Sequence, residues 1–480
     1  MIDAAETEDR RGHSKGARQV TCKIKAFVIF TAYTVIFLLT EYALYGRFAE
    51  VFGKDSVTVL YSLLMFMNGG GYLLFPALSR LISDEGRKNK ILAAAAVLFF
   101  VSAVTVAAIS LPAAVIISAF ISMITGGYLG GAVLYAGAVL LRGSGAEGRV
   151  FAVATAAATI MQFPIQNYAG TYVRLAAVAA GVVILLTAAL PLPQAKAAPS
   201  RGAGRKYTKE LVAAAVIVLL LSYYYGIADA ILMKLNAEGK ISVVGWPRLV
   251  YVAGILLAGV VADMKKGRYF NAVILAVTSI TAVYPLFLGN GFPYHYSHVI
   301  LWFFCGFYVV SLCVPFLRLS VKSGFPELWA GMGRSVKQFV NGFSVILAVQ
   351  LLGFSGSGWV VWCNAAVITA ITALSFLRLT RAEGPGSADD GEPHGPESTN
   401  EANDDKPDKE RLDAFALRYG LTEREIAVLE QIIINDAVAK EIGEALGISE
   451  RTCQRAVTAI YDKTQARTRA AVLILFHEEK

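Results

Sequence analysis

Apolar runs long enough to cross a bilayer recur along residues 26–377, separated by short polar connections. There are about twelve, at approximately 26–45, 56–79, 91–111, 114–141, 150–172, 175–193, 211–231, 243–262, 271–290, 297–317, 336–353 and 357–377. Each lies near the ~20 residues that a spanning helix requires. Lys23 and Lys25 precede the first run, as in a signal peptide. No A-x-A cleavage pattern follows it and eleven more runs do, so it reads as a retained helix. Beyond residue 382 the pattern changes twice. Residues 383–408, "EGPGSADDGEPHGPESTNEANDDKPD", have no apolar periodicity and read as a disordered acidic linker. Residues 409–480 then carry short amphipathic segments with helical spacing.

Composition agrees with the long apolar part. The chain has 480 residues, 56% hydrophobic and 17% charged, with a mean hydropathy of +0.54, which points to a multi-span membrane protein. Its five cysteines (Cys22, Cys305, Cys313, Cys363 and Cys453) show no C-x-x-C spacing. That argues against a disulfide framework, a zinc site or an iron–sulfur site, and no cofactor is expected. The net charge of +8 lies mostly in alternate connections between the apolar runs. One set holds Arg80, Arg87, Lys88 and Lys90; Arg142 and Arg149; the basic stretch within 194–210; Lys265, Lys266 and Arg268; and Arg318, Lys322, Arg334 and Lys337. The other set holds little beyond Arg47, Lys54, Arg174, Lys234 and Lys240. The imbalance predicts a cytoplasmic (inner) membrane protein with both termini cytoplasmic.

The membrane part repeats. "SDEGRKNKIL" follows the second run and "ADMKKGRYFNAVIL" the eighth; their aspartates, Asp84 and Asp263, are 179 residues apart. A carboxylate at such a junction can cap a helix N-terminus while glycine and arginine permit and brace the turn. Two matching copies, separated by the basic loop 194–210, indicate parallel halves, 26–193 and 211–378. This resembles the major facilitator superfamily, whose loop motif reads roughly G-x-L-x-D-R-x-G-R-R. Asp84, Gly86, Arg87 and Lys88 match the first copy, with Glu85 where arginine is preferred; Gly259, Asp263, Gly267 and Arg268 match the second. The resemblance implies an all-α fold with two six-helix bundles. The fourth run lacks the arginine of proton-coupled exporters and the fifth lacks the Gly-Pro pattern of drug antiporters, so active export is not supported.

Polar groups inside the runs are candidates for ligand binding because burying them costs free energy. They are Glu41, Asn68, Gln162, Gln166, Arg248 and Trp246, with Asp229, Asn167, Gln338 and Asn341 nearby in type. Glu41 and Asp229 lie near the outer ends of their runs, where an interfacial position explains them slightly better. For any single amide, interhelical hydrogen bonding is the commoner role. Pro247 breaks the helix beside Arg248, and Trp246 offers a stacking face. The stretches "NGGG" (68–71) and "GGYLGG" (126–131) suit close helix packing rather than nucleotide binding, since no strand or Lys-Ser/Thr surrounds them.

In the C-terminal segment Thr422 and Glu425 have capping-box spacing, Gly447 makes a turn and Ser449 is an N-cap. Within "GISERTCQRAVTAIYDK", Cys453, Val457, Ile460 and Tyr461 share one face; Gln454, Arg455, Thr458 and Asp462 share the other. A short-turn predecessor, a buried stripe and a polar face suit insertion into the DNA major groove. A last helix near 468–476 is apolar on most faces, which suits a homodimer on DNA. "LTEREIAVL", "KEIGEALGISERT" and "IYDKT" resemble the LuxR/NarL-type helix-turn-helix, with Cys453, Gln454 and Ala456 replacing its usual Val, Lys and His. The resemblance implies four helices and puts DNA contacts on Thr452, Gln454, Arg455, Thr458, Lys463 and Arg467.

The expected organisation is a cytoplasmic segment 1–25, two six-helix bundles, the linker 383–408 and a DNA-binding domain 409–480. The expected partners are DNA, an unknown small-molecule ligand and the lipid bilayer. The expected function is that of a membrane-bound transcriptional regulator. The alternative is a transporter with a regulatory or partner-binding tail. No nucleophile–base pair, metal cluster or phosphate loop points to an enzyme.

Overall fold

The computed structural model describes residues 2–195, 201–237, 239, 241–243, 245–264, 273, 294–352, 409–434, 442, 446–466, 471–472 and 475–476. The expected runs 271–290 and 357–377, the linker 383–408, Gly267, Arg268 and Arg467 lie outside the described residues. Among those described, the secondary structure is helical and contains no strand. The chain divides into two compact units, Met1–Ala388 and Asp389–Lys480.

Ten helices are described in the first unit: α1 (Ile2–Phe52), α2 (Lys54–Leu81), α3 (Glu85–Ala108), α4 (Pro112–Leu140), α5 (Glu147–Tyr168), α6 (Thr171–Ala189), α7 (Arg201–Ala237), α8 (Arg248–Asp263), α9 (Tyr294–Ser320) and α10 (Pro326–Leu352). Seven of these contain stretches long and apolar enough to cross a membrane, and the chain is a multi-pass membrane protein. Side-chain distribution fits lipid rather than water. Leu98, Ile117, Ile160, Val173 and Leu219 are exposed, while Asn68, Thr159, Ser222 and Gln338 are buried. Between helices in lipid, association comes from close packing and hydrogen bonds rather than from burial of apolar area.

The glycine stretches supply that packing. α2 crosses α4 glycine to glycine: a Cβ on Gly71 would sit 2.1 Å from the Ile124 carbonyl oxygen, and one on Gly127 would sit 2.1 Å from that of Asn68. The two halves meet along seams where α2 packs on α10 and α5 packs on α8.

Three helix bounds differ from the sequence pattern. α1 continues N-terminally through residues expected to precede it, and α7 begins at Arg201, inside the expected central loop. α10 begins at Pro326, ten residues before the expected run. Arg334 and Lys337, expected in a loop, are therefore on a helix. A run detected by average hydropathy starts late where two cations dilute it.

The second unit contains α11 (Lys409–Tyr419), α12 (Glu423–Ile434) and α13 (Glu450–Thr464), with further helical residues at 442, 446, 471–472 and 475–476. Its core gathers Phe415, Val428, Leu429, Ile442, Cys453, Ile460, Val472 and Phe476. Phe476 meets Phe415 edge-on at 5.5 Å. Val472 and Phe476 are thus used by the unit's own core, which accounts for part of the apolar character of the 468–476 segment.

Candidate functional site

In the second unit, local capping aims α13. The Ser449 hydroxyl accepts from the Thr452 amide at 3.2 Å, and the two hydroxyls lie 2.7 Å apart. Gly447 has φ of +66°, a conformation that favours glycine and turns the chain into the helix. Thr422 and Glu425 form the expected reciprocal box: the Thr422 amide donates to the Glu425 carboxylate at 2.6 Å, and the Glu425 amide to the Thr422 hydroxyl at 3.4 Å. With Cys453 and Ile460 buried, one exposed face presents Arg451, Gln454, Arg455, Thr458, Ala459 and Asp462. Arg451, not singled out from the sequence, lies one turn before Arg455; i, i+4 spacing was its signal. Gln454 reaches back to Glu450 at 3.1 Å.

Lys463 points elsewhere. Its ammonium donates to the Gly420 carbonyl at 2.9 Å and to Glu425 at 2.7 Å, bracing α13 against the start of α12. Burial pushes the Glu425 carboxyl up. Hydrogen bonds from Lys463 and from the Thr422 amide and hydroxyl outweigh this and hold it below the usual range.

In the first unit a cavity of about 170 Å³ is lined from both halves: by α1 (Tyr33, Glu41, Tyr42), α2 (Tyr61, Tyr72), α5, α7, α8 (Arg248, Tyr251), α9 (Trp302, Tyr308) and α10 (Arg334, Lys337, Gln338). Glu41 lines this cavity and accepts from the Tyr61 hydroxyl at 3.0 Å. Arg248 is 3% exposed and lies over the rings of Tyr42 at 4.5 Å and Trp302 at 5.3 Å. It also donates to the Tyr42 hydroxyl, while its Nε has no hydrogen-bond partner among the described residues.

Trp246 does not stack on Arg248. Pro247 is the N-cap of α8, so Trp246 falls outside the helix and is 62% exposed. Arg334 donates from Nε to the Cys313 sulfur at 3.3 Å. Sequence reading missed Arg334 and Lys337 here because each lies near the start of a run and resembles a loop cation.

The amides divide. Asn68 bridges helices, donating to the Met123 carbonyl at 2.9 Å and accepting from Gln338 at 2.6 Å. Gln162 is buried with both amide ends unpartnered among the described residues, and Gln166 has an unpartnered oxygen; neither lines the cavity. The side chain of Asp229 lies outside the described set.

The repeated aspartates behave differently. Asp84 caps its own α3, accepting from the Gly86 and Arg87 amides at 3.1 Å each. Asp263 reaches across the halves to the N-terminus of α5. It accepts from the amides of Gly148 and Arg149 at 2.8 Å each, from Arg149 Nε at 3.1 Å and from Arg318 at 3.0 Å. Gly148 permits this approach, since a Cβ there would lie 2.8 Å from the Asp263 carboxylate.

A helical membrane unit with a cavity between two halves, joined to a helix-turn-helix, defines the class. Residues 420–476 match the model of "Bacterial regulatory proteins, luxR family", so this part of the chain is a LuxR-type DNA-binding domain. Two solved structures share the fold of the larger part. The human organic anion transporter MFSD10 (TETRAN) is 14% identical, with 76% of this chain and 98% of that chain covered and a TM-score of 0.50. An auto-inhibited POT family peptide transporter is 8% identical, with 78% and 99% covered and a TM-score of 0.51. The membrane unit thus shares its fold with these two transporters. No curated protein matches the chain.

Proposed function

We propose that this protein is a membrane-bound transcriptional regulator: its transporter-like unit senses a small molecule, and its LuxR-type domain acts on DNA as a homodimer. The observation that carries the reading is the exposed face of α13, with Arg451, Gln454, Arg455 and Thr458 opposite the buried Cys453 and Ile460. Thr452, beside the N-cap, and Arg467 complete the DNA-facing set by family resemblance, and Lys463 acts by holding α13 in place. The central cavity, with Arg248 and Glu41 in its wall, is the sensing site. Asn68 supports that site through Gln338. Both families represented are non-enzymatic, and the protein is taken to catalyse no reaction. The Lys and Arg imbalance favours an inner-membrane location with both termini cytoplasmic, even without Arg334 and Lys337 in the count.

The test is occupancy of DNA by the full-length protein, mapped genome-wide and footprinted. Arg455→Ala and Gln454→Ala should each weaken specific binding by about 1–3 kcal/mol per lost base contact while leaving membrane insertion intact. Unchanged footprints in both variants would defeat the DNA-reading assignment.

The second reading is a working transporter with a regulatory tail. It draws on the cavity shared between both halves and on the two transporters of like fold. Gradient-driven accumulation of a cavity ligand in vesicles, without any effect of that ligand on DNA occupancy, would favour it.

A further inference from the structure

Among the described residues, the cavity wall carries three cations, Arg248, Arg334 and Lys337, and one carboxylate, Glu41. Guanidinium groups stay protonated in proteins, so the wall has an excess of positive charge. In a low-dielectric setting such an excess attracts an anion strongly. Arg248 adds an independent pointer: it is buried, its guanidinium carbon lies over the rings of Tyr42 and Trp302, and its Nε is unpartnered among the described residues. A buried donor left without an acceptor costs free energy that a ligand oxygen would restore.

The remaining wall is largely aromatic. Tyr225 and Tyr308 stack at 3.9 Å, and Tyr251 meets Trp302 edge-on at 5.9 Å. Flat, hydroxyl-bearing walls accommodate a ring and hydrogen-bond its polar substituents. The volume of about 170 Å³ is close to that of an apolar cavity of ~150 Å³ that holds one benzene ring.

We infer that the cavity takes a small monocyclic aromatic carboxylate, its carboxylate directed to the cationic wall with Arg248 and its ring held among the tyrosines. This rests on the reading of the cavity as the sensor's ligand site and names the chemistry that site selects.

Calorimetric titration of the full-length protein in detergent tests it, with benzoate, benzamide, benzylamine and acetate as probes. Benzoate should bind best. Benzamide, the same shape without the charge, and acetate, the charge without the ring, should each bind at least about tenfold more weakly. Benzylamine should bind more weakly still. Arg248→Gln should weaken benzoate by a similar factor. Glu41→Gln should strengthen it several-fold, a gain that misfolding cannot produce.

The inference is overturned if benzoate fails to bind at millimolar concentration. It is also overturned if benzamide or acetate equals benzoate, if benzylamine is preferred, or if Glu41→Gln weakens benzoate binding in correctly folded protein. Benzoate binding that leaves DNA occupancy unchanged upholds the ligand class and defeats the sensing reading. DNA occupancy that responds to some other molecule, with no benzoate binding, does the reverse.

Discussion

Replacing either repeated aspartate by asparagine makes the same chemical change at two places that the sequence presents as equivalent. At Asp84 the side chain is 60% exposed and caps only its own helix. Asparagine caps nearly as well as aspartate, so Asp84→Asn should cost no more than a few tenths of a kcal/mol. At Asp263 the side chain is 3% exposed and holds four donors. Asparagine offers one acceptor oxygen for two, turns an NH₂ group toward N–H donors and removes the charge facing Arg318. Arg318 would retain Glu147 at 3.5 Å and the Ala262 carbonyl at 3.2 Å.

Breaking a buried pair typically costs about 3–5 kcal/mol. Arg149 is 58% exposed, so its ion pair adds little, and the lower end, about 3 kcal/mol, is the better figure for Asp263→Asn. At the α5–α8 seam that is about a hundredfold change in the ratio of joined to separated halves. Thermal melting in detergent, followed by tryptophan fluorescence at one fixed scan rate because such unfolding is commonly irreversible, should show a drop of several degrees for Asp263→Asn. Asp84→Asn should melt with the parent. Equal melting of the two variants, or a larger loss at Asp84, would refute the cross-half role of Asp263.

Gly127→Leu should abolish correct folding, because even a Cβ at that position lies 2.1 Å from the Asn68 carbonyl oxygen; Gly46→Leu, with open space around it, should be tolerated in size-exclusion profiles. The depressed Glu425 pKa stabilises the folded DNA-binding domain above the unfolded value of about 4.3, and the contribution disappears as pH falls through the lower folded value. Hydrogen exchange of the α12 amides should therefore accelerate in that window, whereas Glu425→Gln should flatten the pH dependence; identical profiles would count against the Lys463–Glu425 brace. If proximity of two DNA-binding domains is the switch, inserting ten Gly/Ser residues within 383–408 should leave induction largely intact. Fusing 409–480 to an unrelated constitutive dimer should then give ligand-independent DNA binding; a silent long-linker variant would require a rigid coupling instead.

The amino-acid sequence alone determined what depends on neighbours along the chain. Apolar runs of spanning length specify helices because each satisfies its own backbone hydrogen bonds in lipid. The capping of α13 by Ser449 and of α12 by Thr422 and Glu425 was equally legible, since a cap and its target amide are three residues apart. Small-residue spacing likewise marked the stretches holding Gly71 and Gly127 for close packing, although their pairing at the α2–α4 crossing came from the structure.

Tertiary structure decided which polar groups converge. Arg334 and Lys337 read as loop cations, because a charge facing a cavity and a charge at a helix end lower local hydropathy alike. Trp246 adjoins Arg248 in sequence, yet Tyr42 and Trp302, from two other helices, supply its rings. Asp84 and Asp263 share a motif, but only Asp263 meets the α5 amides, 114 and 115 residues away. Partners brought together across such separations leave no local pattern, so their roles follow from the packing of the halves.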